Sequence, residues 1–216
     1  MRTIILGSSS PYRRHLLERL KIPFTVDPPN IDETPFRDEN PKDMVIRLTL
    51  EKAKSVAARN QDALIISSDQ YAVLNNKSIG KPKNYENAFA QLEMLSGKKI
   101  EYITGLCLYD SKNGTYQEDV KKCIVQYKEL SKETIKKYLE KEQPYNCAGS
   151  LKSEGLGIVL LNSIESLDTT ALMGLPLIRL VEMLKKFDVE ISVSYTHLRA
   201  HETLRYRVCR LRGEKK

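Results

Sequence analysis

A mixed α/β domain is the fold class that the sequence predicts, on three observations. Short apolar runs of strand length alternate with segments of helical period, capping residues stand at the starts of those segments, and no repeat or low-complexity stretch breaks the order. The 216 residues are enough for one domain, or two small lobes, around a sizeable core.

The elements follow in order. Residues 3–6 read as a short strand, and Ser8-Ser9-Ser10-Pro11 then opens a helix with Ser10 as N-cap, Pro11 at the first helical position and Leu16, Leu17 and Leu20 as the buried stripe. Asn40-Pro41 starts a second helix with Met44, Val45, Leu48 and Ala53 on one side. Residues 63–66 form a continuous apolar strand that ends in Ser67-Ser68-Asp69-Gln70. Residues 71–74 and 78–79 suit a hairpin around Asn75-Asn76, which tolerate left-handed geometry. Asn84 caps a helix that Gly97 ends, and two long strands then meet at a turn near 110–114. A helix from Ser131, a Gly-rich loop over 148–157, a strand, and a last helix after Gly174-Leu175-Pro176 complete the chain.

The composition is that of a soluble globular protein, 41% hydrophobic and 29% charged. No run of about 18 apolar residues or signal-peptide pattern occurs, so a cytoplasmic protein without a membrane partner is expected. Cys107, Cys123, Cys147 and Cys209 show no C-x-x-C pairing, which argues against a zinc site or a disulfide framework. The net charge of +7 invites a nucleic-acid reading. The position of the charge argues against it: residues 193–216 hold seven Lys or Arg against two acids. That stretch is similar to a translated sequencing-library adapter, and it is set apart as a non-native tail, expected to be disordered, behind a domain of residues 1–192.

Candidate chemistry begins at the first strand-to-helix turn. Free backbone N–H groups and the positive end of the helix dipole favour an anion there, and Arg13 and Arg14 in the first turn fit a bound phosphate. Alone, these residues read equally well as a capped helix with a solvated face. Asp69, just past an apolar strand, can bind a divalent metal or take a proton from water, whereas alone it reads as a turn aspartate. Asp32 and Glu33 add carboxylates, Lys81 sits in a Gly-Lys-Pro turn, and Lys52 lies inside the second helix.

Several ordered blocks carry a resemblance: Ser8-Ser9-Ser10-Pro11-Tyr12-Arg13-Arg14, Ile31-Asp32-Glu33-Thr34-Pro35, Glu51-Lys52-Ala53, Ser68-Asp69-Gln70, Gly80-Lys81-Pro82, Cys147-Ala148-Gly149-Ser150-Leu151-Lys152-Ser153-Glu154-Gly155 and Gly174-Leu175-Pro176-Leu177. In this order they resemble the Maf family of nucleotide pyrophosphatases, and within it the YceF-like subgroup, from Ile5 to about Phe187. The resemblance implies a two-lobed, inosine-triphosphatase-like α/β fold with an elongated central sheet and the active site in the inter-lobe cleft. It implies hydrolysis of a nucleoside triphosphate between its α and β phosphates, with a divalent cation (Mg, Mn or Co) as cofactor and 7-methyl-GTP as the subgroup's substrate. It also implies Asp69 as catalytic acid-base residue; Ser8, Ser10, Arg13, Arg14, Lys52 and Lys81 on the phosphates; Tyr12, Gln70 and Glu154 selecting the base; and Asp69 and Glu33 on the metal. The expected partner is a nucleotide rather than nucleic acid, with a homodimer left open. The alternatives are a pyrophosphatase for other nucleotides and a nucleotide-binding regulatory module linked to septum formation. Tyr71 stands where a small aliphatic residue is usual, and Leu151 where an aromatic is commoner.

Overall fold

The computed structural model describes residues 2–191; the adapter-like tail lies outside them. Strand β1 (Thr3–Leu6) leads into α1 (Pro11–Glu18), a two-residue strand β2 (Thr25–Val26), α2 (Pro41–Ala57), β3 (Ala63–Leu74), β4 (Lys77–Ile79) and α3 (Tyr85–Leu95). Two long strands, β5 (Lys99–Asp110) and β6 (Tyr116–Tyr127), precede α4 (Lys132–Glu142), β7 (Leu161–Ser166) and α5 (Leu177–Lys185). One mixed sheet runs β2-β1-β3-β5-β6-β7, with β4 added beside β3.

Local chemistry sets the helix starts. The side chains of Ser10, Asn40, Asn84 and Ser131 each accept a backbone N–H two or three residues on, satisfying donors the helix cannot. The β3–β4 hairpin turns at Asn75 and Asn76, both at positive φ. β2 was not expected: two exposed residues pair with Ile5 and Leu6, too few to leave an alternating pattern. The Gly-rich stretch folds as two short 3-10 turns, Ala148–Ser150 and Leu156–Leu160.

Strand β3 differs most from the sequence expectation. It is 12 residues long, so Asp69 sits inside the strand and not beyond its end. Its neighbour changes along its length: β1 pairs in parallel up to Ile66, and β4 pairs antiparallel from Ala72. Residues 67–71 keep β5 on one side and, among the described residues, have no strand on the other. The sheet edge opens there, and α1 begins directly across the gap. Ligands of α/β sheets collect at such changes of strand neighbour.

Strand alternation sorts the residues around the gap. On one face, Leu6, Leu16, Ile66, Leu108 and Leu180 build an apolar cluster under α1 and α5. Ala72, Leu92, Tyr102, Tyr127 and Leu139 build a second under α3 and α4. Ser68, Gln70 and Thr104 interrupt that face between the two clusters. The opposite face carries Asp69 and packs on α2 with Ile65, Cys107, Ala53 and Val56. Gly105, paired with Asp69, permits the close approach: a Cβ there would collide with Thr49 Oγ1 and lie 2.7 Å from Val45 Cγ1.

At the far end of the sheet Arg2 forks onto Asp110, donating Nη1 to Oδ2 at 2.7 Å and Nη2 to Oδ1. That hydrogen bond holds the Asp110 carboxyl below the usual carboxylate range, against the opposing effect of burial. A carboxylate depressed in the folded state adds stability that is complete above its unfolded value, about 3.9, and is lost as pH falls through the lower folded value. Asp110→Asn is therefore expected to lower the melting temperature at pH 7 by roughly 3–10 °C. Melting curves recorded down to pH 2.5 should show this gap closing in acid; a gap constant with pH would show that Asp110 acts through packing.

Candidate active site

The gap in the sheet edge gathers charge from five segments. Lys52, five per cent exposed, reaches across from α2 and donates to Asp69 Oδ1 at 2.9 Å while pairing with Glu33 Oε1 at 2.8 Å. Burial would raise the Glu33 carboxyl, but the Lys52 hydrogen bond and the charges of Lys52, Lys81 and Arg13 outweigh it and hold Glu33 below its ordinary value. The Lys81 ammonium is pulled down by burial and by repulsion from Arg13 and Lys52, partly offset by Glu33 and Asp69. Such a cluster suits a polyanion, which would relieve the repulsion among the cations.

Arg13 is held in place by carbonyl and hydroxyl groups. Its Nε donates to the Gly174 carbonyl at 2.9 Å and its Nη1 to Ser8 Oγ at 3.3 Å. Gly174 adopts φ +98°, which glycine alone meets without strain, and its carbonyl also accepts from Ser68 Oγ at 2.8 Å. Burial pulls the Arg13 guanidinium down, opposed by Asp69 and Glu33. Ser8 and Ser10 work locally: Ser8 Oγ accepts from Ser10 N and from Arg13, and Ser10 Oγ caps Arg13 N.

Two cavities meet at Asp69. A polar cleft of about 390 Å³ is lined by Asp32, Glu33, Thr34, Tyr71, Lys81 and Lys83 together with Asp69 and Gln70. A tighter pocket of about 50 Å³ adds Ser10, Tyr12, Arg13, Cys147, Glu154 and Met173 to Asp69, Gln70 and Lys81. Burial pushes the Tyr12 phenol well above its ordinary value, so its ring is a neutral aromatic face. Burial likewise pushes the Cys147 thiol up to about 11, leaving it a thiol at neutral pH.

Two expected site residues stand elsewhere or act differently. Arg14 lies on the exposed side of α1 and pairs with Glu18 at 3.1 Å, because one residue is about 100° of helix and only Arg13 can face the gap. Gln70 borders both cavities, but its Nε2 is committed to Thr104 Oγ1 and to the carbonyls of Ala171 and Leu172 at 2.8–3.0 Å. It anchors the 3-10 turn Thr169–Met173, and only its acceptor oxygen remains for a base. Tyr71, expected at the floor of the cleft, does line it, whereas sequence reasoning missed Thr34 and Lys83 as lining residues. For Lys83 a signal existed, since it directly follows the Gly80-Lys81-Pro82 turn.

Asp69 Oδ2 is buried with no hydrogen-bond partner among the described residues. An orphaned carboxylate oxygen beside a second carboxylate, Glu33, fits a hard divalent cation, which prefers oxygen donors. No group of three or more His, Cys, Asp or Glu that could hold a metal occurs among the described residues. Asp69 and Glu33 supply two carboxylates, the number with which Mg²⁺ sites completed by substrate phosphates are built. No helix of the described residues is long and apolar enough to cross a membrane.

With this geometry in view, a family model described as "Maf-like protein" matches residues 3–187. The chain is 48% identical over 198 residues to a 7-methyl-GTP pyrophosphatase of Colwellia psychrerythraea, covering 92% of this chain and 99% of that one. A protein of the same name from Pseudomonas savastanoi pv. phaseolicola is 49% identical over 191 residues, covering 88% of this chain and all of the relative. Another, from Nitrosospira multiformis, is 50% identical over 188 residues, covering 87% and 95%.

Proposed function

The chain belongs to the Maf-like protein family and is a nucleotide pyrophosphatase, and from that premise we propose that it hydrolyses 7-methyl-GTP between the α and β phosphates, with Asp69 as the proton acceptor. The observation that carries the reading is the position of Asp69 where the two cavities join. A base held beside Tyr12 and Glu154 leaves the phosphate chain to run past Asp69 into the lysine-lined cleft. The bond cleaved then lies at the junction.

The side chains divide the work accordingly. Arg13, Lys52 and Lys81 place positive charge around the phosphates, where negative charge grows in the transition state. Asp69 takes the proton of the attacking water; the new oxygen–phosphorus bond forms as the anhydride bond breaks, and nucleoside monophosphate and pyrophosphate leave. Asp69 and Glu33 are the residues that would hold a divalent cation, which supplies charge neutralisation and orientation of the phosphates when bound. Methylation at N7 makes guanine cationic, so the face of Tyr12 offers a cation–π contact of about 0.5–2 kcal/mol. The Glu154 carboxylate can accept from the N1 and N2 donors of the pairing edge.

Pyrophosphate release from a nucleotide panel, with magnesium, manganese or cobalt, tests the reading. 7-Methyl-GTP is expected to lead. Glu154→Ala should lower its kcat/KM about ten- to hundredfold while leaving pyrimidine triphosphates as poor as before, and Tyr12→Phe should be milder than Tyr12→Ala. An equal loss on every nucleotide would move Glu154 from the base to the phosphates and remove the basis for base selection.

A further inference from the structure

The segment between β2 and α2 contains no regular hydrogen-bonded structure apart from a turn, yet it carries Glu33 into the site. What holds it is α2 and the turn that follows it, along which it runs in reverse. Arg59 Nη2 donates to Asp27 Oδ1 and to the Pro28 carbonyl, at 2.7 and 3.0 Å. Ser55 Oγ accepts from Asn30 N and donates to its carbonyl. Lys52 takes Glu33 at 2.8 Å, and Asn40 caps the helix start. Between Glu33 and Asn40 only one residue of α2 makes polar contact with the segment among the described residues, and it does so through two nitrogens of its guanidinium.

That residue is Arg47. Its Nε and Nη2 fork onto the two carboxylate oxygens of Glu39 at 2.6 and 2.7 Å, Nη2 also donates to the Thr34 carbonyl at 3.3 Å, and Nη1 reaches Glu51 at 3.2 Å. The guanidinium carbon lies 3.8 Å from the centre of the Phe36 ring, which is 62% exposed. Glu39 closes the circle by accepting from Phe36 N. The Arg47 side chain is 16% exposed and that of Glu39 10%. The Arg47 hydrogen bond holds the Glu39 carboxyl below its ordinary value. The carbonyl that Arg47 grips belongs to Thr34, the residue next to Glu33.

We infer that Arg47 is a positioning residue for the reaction: a latch that fixes residues 34–39 on α2 and thereby sets Glu33 against Lys52 and Asp69. This rests on the reading of Glu33 as part of the phosphate and metal site. Arginine is required because the fork and the ring contact both need a planar guanidinium; a lysine supplies charge without either.

The test is a double-mutant cycle of Arg47→Ala with Glu33→Gln, joined to amide hydrogen exchange of residues 31–39. Arg47→Ala is expected to speed exchange in that segment, to lower kcat/KM for 7-methyl-GTP about 100-fold through misplacement alone, and to raise the manganese concentration for half-maximal rate. In the Glu33→Gln background the same substitution should cost no more than about threefold, because the side chain it positions is already disabled. Arg47→Lys should fall between and serves if the alanine variant folds poorly. An equal loss in both backgrounds, or unchanged exchange over 31–39, overturns the latch. Faster exchange in Arg47→Ala together with wild-type kinetics in Glu33→Gln supports the latch and refutes instead the role given to Glu33.

Discussion

Asp69→Asn is expected to remove pyrophosphate release almost entirely while the protein stays folded. The amide is nearly isosteric, and its oxygen can still accept the Lys52 hydrogen bond that Oδ1 accepts at 2.9 Å. Lys52 also keeps Glu33, so no buried charge is left alone and the fold has little reason to fail. What disappears is the proton acceptor, a contribution of about 10² to 10⁴ in rate, and with it the unpartnered Oδ2 that a cation would use. Rate and melting temperature measured on one preparation decide the matter: a folded variant with wild-type kcat would exclude Asp69 from the chemistry.

Lys52→Met should hurt stability and activity together. Lys52 is a buried cation between two carboxylates, and methionine fills its volume without charge. Removing one partner of a buried pair costs about 3–5 kcal/mol, or roughly 6–20 °C in melting temperature for a chain of this size. The two carboxylates left without the ammonium between them disfavour each other's ionised form. A carboxyl raised in the folded state contributes stability that is present below its unfolded value, near 4, and lost as pH rises through the folded value. The deficit against wild type should thus be large at pH 7 and shrink below about pH 4, while kcat/KM at pH 7 falls at least 100-fold with a phosphate-facing cation gone. Manganese in the millimolar range should restore part of the lost stability by standing in for the ammonium. A variant that melts like wild type at pH 7 would show that the Lys52 contacts contribute nothing net.

What the sequence by itself determined is local or block-like. The caps at Ser10, Asn40, Asn84 and Ser131 were legible because each joins atoms two or three residues apart, and the Asn75-Asn76 turn because its residue types suit positive φ. The ordered motif blocks were likewise enough to identify the family. Tertiary structure alone decided the rest. Asp69 reads as lying just past the end of its strand because Ser67, Ser68 and Gln70 break the apolar pattern; they are buried or half-buried only because partners 18 to 106 residues away satisfy them. Arg13 and Arg14 are alike in sequence, and only packing against the Gly174 turn separates the cation that faces the gap from the one that faces solvent. Arg47 reads as one more charge on a helix until a segment of irregular backbone is laid across it. Short-range hydrogen bonds leave their trace in residue spacing, whereas the cleft is built where a strand changes neighbours, and no spacing along the chain records that.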